Sequence, residues 1–153
     1  MSDYPFFPLF VDLSQKNVLV VGAGRIACRR ILTLVQFTGQ LTVTAPAALP
    51  EIVELARQGR FTLQLKEYEE ADIEGSDLVC AATNDGELNR KIGAACRDRG
   101  IPVNVASDRM LSDFYFPGVA RRGPVVAGVT ASGRDHAAAK RATELVREAL
   151  EKL

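Results

Sequence analysis

Gly22-Ala23-Gly24-Arg25-Ile26-Ala27 lies between a short β-branched run and an amphipathic stretch, and this placement restricts the chain's fold more than any other feature. Asn17 to Val21, flanked by Lys16 and Gly22, is too short for a helix and has the continuous apolar character of a strand buried on both faces. From Arg25 to Phe37, Ile26, Ala27, Ile31, Leu34 and Val35 recur at helical spacing, with Gly39 expected as a left-handed C-cap. A strand before and a helix after are the context that lifts GxGxxG/A above chance. Gly22 permits the tight turn, Gly24 leaves room for a pyrophosphate at the helix N-terminus, and Ala27 lets helix and strand pack closely. Gly22, Ala23, Gly24, Arg25 and Ile26 are therefore the expected cofactor-binding turn.

The alternation continues. Leu41 to Thr44 reads as a strand, Pro50 to Gln58 as a helix closed by Gly59, and Phe61 to Leu65 as a strand. Ser76 to Ala82 is a further strand, Glu87 to Arg99 a helix closed by Gly100, and Ile101 to Val105 another strand. Asn84, with Glu87 three residues on, has the spacing of a capping box. Such alternation implies an α/β fold, a Rossmann-like parallel sheet with helices on both faces. After residue 105 the rhythm changes. Phe114 to Val119 and Pro124 to Thr130, separated by Arg121-Arg122-Gly123, read as a β-hairpin. Asp135 to Leu153 reads as a C-terminal helix built on Ala139, Ala142, Val146 and Leu150. The expected division is a dinucleotide-binding domain over residues 1–105 and a dimerisation and substrate-side appendix over 106–153.

Charge narrows the partners. The 19 Lys and Arg balance 19 Asp and Glu, so no excess of cations favours a nucleic-acid backbone or an anionic membrane. Residues 101–141 nevertheless carry 6 basic and only 3 acidic side chains, which is where an anionic ligand is expected. Cys28, Cys80 and Cys96 lack the paired spacing of a zinc site and read as reduced thiols. His136 has no second His or Cys near it in sequence, so no metal site is expected. The start shows no basic-then-apolar leader and no apolar run is long enough to span a membrane, so a cytoplasmic chain is expected.

The end of the second strand, Thr44 with Pro46 and Ala47 after it, is also expected at the cofactor. It has no acidic residue for a ribose hydroxyl and no arginine for a 2′-phosphate, so NAD is expected ahead of NADP. Thr83, Asn84 and Asp85 follow the fourth strand at the carboxyl edge of the sheet. There they either flank the cofactor or cap the next helix, and the two roles are compatible.

Tyr4 to Leu13, the Gly22 turn, Ala81 to Asp85, Asn89-Arg90, Val103-Asn104-Val105, Asp113 to Pro117 and Val129 to Gly133 form an ordered set covering nearly the whole chain. With them the chain resembles precorrin-2 dehydrogenase, the sirohydrochlorin-forming module of siroheme synthases. The resemblance implies that NAD accepts a hydride from precorrin-2, a reduced polycarboxylate tetrapyrrole, and that the appended region makes a homodimer interface. It also implies a carboxylate directly after the Asn-Val strand as acid/base. Here Ser107 intervenes, so Asp108 is the expected catalytic group and Asp113 the second candidate. Asn104, Ser107, Arg109, Asp113, Ser132, Arg134 and His136 are the expected substrate-side residues, with Arg121, Arg122, Lys140 and Arg141 as further cations for the carboxylate rim.

Fuller members of that family continue beyond the final helix into a domain that helps to cover substrate, which leaves chelation in this chain open and a separate chelatase as a conceivable partner. Two other functions fit the same residues. One is an NAD(H)-sensing regulatory dimer, which needs neither Asp108 nor the basic cluster; the other is a metallochelatase or tetrapyrrole carrier, disfavoured by the single histidine.

Overall fold

In the computed structural model, which describes residues 3–153, Val18–Val21 (β1) is the middle strand of a five-stranded parallel sheet. Leu41–Ala45 (β2) and Thr62–Leu65 (β3) lie to one side, Leu78–Ala81 (β4) and Val103–Val105 (β5) to the other, giving the order β3-β2-β1-β4-β5. Arg25–Leu34 (α1) joins β1 to β2, Pro50–Arg57 (α2) joins β2 to β3, and Gly86–Asp98 (α3) joins β4 to β5. A 3₁₀ turn, Glu70–Ile73, lies in the crossover from β3 to β4.

Two-residue periodicity assigns the faces. Leu19, Val21, Val79, Ala81, Val103 and Val105 share one core cluster with Ile92 and Cys96 of α3 and with Ile73. Right-handed crossovers then put α1 and α2 on the opposite face, where Ala27, Ile31 and Ile52 are fully buried. Each fully buried Val or Ile contributes about 1.5–3 kcal/mol, so the middle strands anchor the fold.

Three expected boundaries change. Helix α1 ends at Leu34 with Val35 as a right-handed C-cap (φ −60°), and Gly39 takes no part in a left-handed cap. Instead Phe37 N–H and Thr38 N–H both donate to Leu34 O, and Thr38 Oγ1 donates to Lys16 O, which ends the helix without a glycine. By contrast, Gly59 (φ 77°) and Gly100 (φ 67°) follow α2 and α3 as expected. The N-cap of α3 is Asp85 in place of the expected Asn84, its Oδ1 accepting from the N–H groups of Glu87 and Leu88. The hairpin strands are Gly118–Arg122 (β6) and Val125–Val129 (β7), antiparallel with Arg122 opposite Val125. Arg121 and Arg122 therefore belong to a strand, and Gly123 (φ 57°) with Pro124 makes the turn.

The chain divides into two compact units, Asp12–Tyr115 with the parallel sheet, and Phe116–Leu153 with the first eleven residues, of which those from residue 3 on are described. This boundary lies ten residues after the expected 105/106. The cause is a set of ties holding 106–115 to β5: Asp113 N–H donates to Val103 O, and Asn104 Nδ2 donates to Phe114 O. In the smaller unit His136–Glu151 (α4), N-capped by Asp135, packs on β6 through Thr143, whose Oγ1 a Cβ at Gly118 would clash with. Arg147 donates to Val119 O, and Arg122 donates to the carbonyls of Leu150 and Glu151 at the helix end. Phe6 N–H donates to Ser132 Oγ, tying the N-terminal segment into the same unit.

Candidate functional site

The glycine turn is shaped by a close approach. Gly22 has φ 116°, and a Cβ there would stand 2.6 Å from the Ala82 carbonyl carbon and 2.9 Å from Thr83 N. Gly22 N–H donates to Thr44 O and Ala82 N–H to Val21 O, so the ends of β1, β2 and β4 converge at this residue. Gly24 is the opposite case. It is exposed, and nothing lies within 4 Å of a Cβ built on it. It is also the N-cap of α1, with no side-chain cap and no acidic residue in the first turn. The positive end of a ten-residue helix thus faces open space beside exposed Arg25 and Ile26. Buried Ala23 and Ala27 complete the turn, Ala23 O accepting from Leu49 N–H. An uncapped N-terminus with a vacant Cβ position fits an anionic group such as a pyrophosphate.

The other expected cofactor residues divide. Pro46 and Ala47 are exposed beyond the tip of β2. Thr44 is fully buried and its hydroxyl donates to Gln64 Oε1 on β3, so its part is in the sheet. Sequence reasoning passed over Lys66, whose N–H donates to Ala45 O and so brings a cation next to the β2 tip. Its ammonium pairs with Asp72 at 2.8 Å and lies 3.9 Å from Glu69.

At the end of β4, Asp85 caps α3 while Thr83 and Asn84 form the turn before it. Asn89, one turn into α3 and fully buried, accepts at Oδ1 from Thr83 N–H (3.0 Å) and Thr83 Oγ1 (2.6 Å). Its Nδ2 donates to Thr83 O (3.0 Å) and to Ser107 Oγ (3.2 Å). The resemblance included Asn89, but its burial and fourfold bonding emerge only in three dimensions.

Beyond β5, Asp108 is half-buried and caps the 3₁₀ turn Arg109–Leu111, its Oδ1 accepting from Met110 N–H at 2.9 Å. Asp113 has a sheet role: Val103 N–H donates to its Oδ2 at 3.0 Å. Asn104 is buried, accepting at Oδ1 from Arg30 Nε and donating to Phe114 O, so both ends of its amide are engaged within the fold. Burial beside the sheet pushes the Arg30 guanidinium below its ordinary value.

The larger unit thus gathers Gly22 to Ile26, Pro46, Ala47, Thr83 to Asp85, Ser107 and Asp108 at the carboxyl ends of parallel strands, the edge where open α/β sheets bind ligands. Ser132, Arg134 and His136 belong to the smaller unit. Ser132 takes φ 55°, the only positive φ outside glycine among the described residues, while Arg134 and His136 are exposed around the start of α4. Among the described residues, no three His, Cys, Asp or Glu side chains form a set able to hold a metal ion, and no helix is long and apolar enough to cross a membrane.

Known proteins match this architecture. A family described as "Putative NAD(P)-binding" matches residues 9–118. The chain is 38% identical over 146 residues to the "Probable multifunctional siroheme biosynthesis protein HemA" of Ruminiclostridium josui, covering 95% of this chain and 28% of that protein. It is 36% identical over 128 residues to the siroheme synthase of Pseudoalteromonas atlantica, covering 84% of this chain and 28% of the relative. It therefore spans less than a third of the length of these curated relatives. Among solved structures it superposes on SirC, a precorrin-2 dehydrogenase, with a TM-score of 0.78 at 29% identity, covering 94% of this chain and 71% of that one.

Proposed function

The chain belongs to this NAD(P)-binding family, and from that membership we propose that it is an NAD-dependent oxidoreductase converting precorrin-2 to sirohydrochlorin. The observation that carries the reading is the open, uncapped N-terminus of α1 behind the Gly22 turn, at the same sheet edge as the loop bearing Asp108. The likeness to SirC over most of both chains supports precorrin-2 as the substrate.

The backbone N–H groups at the start of α1 hold the pyrophosphate, and Gly24 admits it because no Cβ stands in the way. Thr83 to Asp85 wall the nicotinamide side. Bound there, NAD supplies the hydride acceptor. Loss of hydride from the reduced macrocycle must be matched by loss of a proton, which Asp108 accepts at Oδ2, its Oδ1 being held by Met110 N–H. Within the larger unit, Arg109 and Ser107 are the side chains that serve substrate carboxylates; within the smaller unit, Ser132, Arg134 and His136 are candidates for contacts of the same kind.

The same reading includes a homodimer through residues 114–130, supported by β6 and β7 forming a sheet of only two strands, each with one unpaired side. It also includes a cytoplasmic location, supported by three free, buried cysteines that suit a reducing compartment.

Incubating the purified protein with precorrin-2 and NAD tests the activity. Sirohydrochlorin absorbance should rise in step with NADH; tight NADH binding without product would favour the sensing function instead.

A further inference from the structure

Asn89 saturates its hydrogen-bonding capacity on two loops and none of it on solvent. Its Oδ1 takes the N–H and the hydroxyl of Thr83, and its Nδ2 serves Thr83 O and Ser107 Oγ. Every polar group of Thr83 therefore meets one buried amide. The Thr83 N that Asn89 holds is also an atom against which Gly22 is closely packed. Ser107, on the far side of the amide, immediately precedes Asp108. One side chain thus links the strand end abutting the glycine turn to the loop carrying the expected acid/base.

We infer that Asn89 is a positioning residue, setting the Thr83–Asp85 loop against the dinucleotide through one end of its amide and the Ser107–Asp108 loop through Nδ2. The inference rests on the function proposed above for its catalytic half only, because the dinucleotide half is read by binding alone. The two halves are separable. Within the fold Ser107→Ala removes only the Nδ2–Oγ bond and leaves Thr83 held, while loss of its hydroxyl as a substrate partner is read separately in KM. Thr83→Val removes the hydroxyl's bond to Asn89 Oδ1 together with its two bonds to the Asp85 backbone, and leaves the Ser107 link.

The test measures NADH affinity by fluorescence titration, kcat and KM for precorrin-2, and the thermal midpoint, on wild type, Asn89→Ala, Asn89→Asp, Thr83→Val and Ser107→Ala. Asn89→Ala leaves the Thr83 N–H and carbonyl without their partner, and should weaken NADH binding about tenfold and lower kcat by about tenfold or more. Thr83→Val should weaken NADH binding with a smaller change in kcat, whereas Ser107→Ala should lower kcat while NADH affinity stays within about twofold. Asn89→Asp keeps both acceptor interactions but cannot donate, so it should recover part of the NADH affinity and little of kcat. A core variant, Ile73→Val, supplies the control for lost stability.

If NADH affinity in folded Asn89→Ala and Thr83→Val stays within twofold of wild type, or if Ile73→Val lowers affinity equally at the same thermal midpoint, the inference is overturned. Should wild type bind NADH but turn over no precorrin-2, the function proposed above fails, and the binding series still decides the dinucleotide role of Asn89.

Discussion

Gly22 and Ala82 approach so closely that a methyl on the glycine would lie 2.6 Å from the alanine carbonyl carbon, whereas two residues on, Gly24 has open space. The two glycines of one motif thus answer to different constraints. Gly22→Ala meets both a φ of 116° and an immovable backbone, and should cost about 2–4 kcal/mol of stability in a denaturant melt. Gly24→Asp should stay within about 1 kcal/mol of wild type. Yet it puts a carboxylate where the pyrophosphate belongs and should weaken NADH binding by more than about tenfold. Undiminished NADH affinity would remove the glycine turn as the binding site.

Asp108→Asn separates capping from proton transfer. Asn caps a helical start about as well as Asp, so the 3₁₀ turn and NADH affinity should persist while turnover falls by about two to four orders of magnitude. Asp113→Asn should leave turnover within a few fold of wild type, because that carboxylate serves Val103. The opposite ranking of the two variants would transfer the acid/base role to Asp113.

Lys66 bears on the choice of dinucleotide. Its ion pair with Asp72 keeps a cation beside the β2 tip engaged, so NAD should be preferred over NADP. Asp72→Asn, which still accepts from Glu69 N–H, should narrow the NAD/NADP ratio of kcat/KM by up to about fivefold, the equivalent of the ~1 kcal/mol a half-exposed pair is worth. An unchanged ratio would exclude Lys66 from the choice.

Alkaline pH should destabilise the fold. Burial pushes the Cys80 thiol from 9.0 up to about 12 and Cys96 up to about 11, and pushes the Tyr68 phenol from 10.0 up to about 12. Above about pH 9 the unfolded chain therefore releases protons that the folded chain retains. The stability these groups contribute is present below that pH and is lost progressively toward pH 12. Thermal midpoints should fall over this window, and Cys80→Ala should flatten the slope; a flat profile in wild type would contradict the burial of these groups.

Sedimentation at micromolar concentration should give a particle of twice the 16.6 kDa chain mass. A monomer would remove the hairpin as an interface.

The parallel body was legible because its signals are local: β-branched runs bounded by glycine, and helices whose apolar residues recur at fixed spacing. What was hidden depended on partners distant in sequence. Nothing near Val35 announces that Thr38 will bond to Lys16 and end α1 before Gly39. Asn104 and Asp113 read as substrate-side polar residues, yet Arg30, 74 positions away from Asn104, and Val103 engage them. Placing Arg121 and Arg122 in a turn followed from their polarity, whereas the backbone turns at Gly123, where φ must be positive. Asp108 and the Gly22 turn emerge at the expected sheet edge, while the directions of Lys66 and Asn89 are set only by the folded chain around them.

Strand β5 has three residues and ends the sheet, a position that invites other chains to add strands without limit. Asp113 and Ser112 occupy its outward groups: Val103 N–H and O pair with Asp113, and Val105 N–H donates to Ser112 Oγ, which donates in turn to Val105 O or Asp108 O. Two side chains and the Asp113 backbone N–H thus imitate a missing sixth strand. Such a cover guards against aggregation by blunting an open border of the sheet to which a foreign strand could otherwise add.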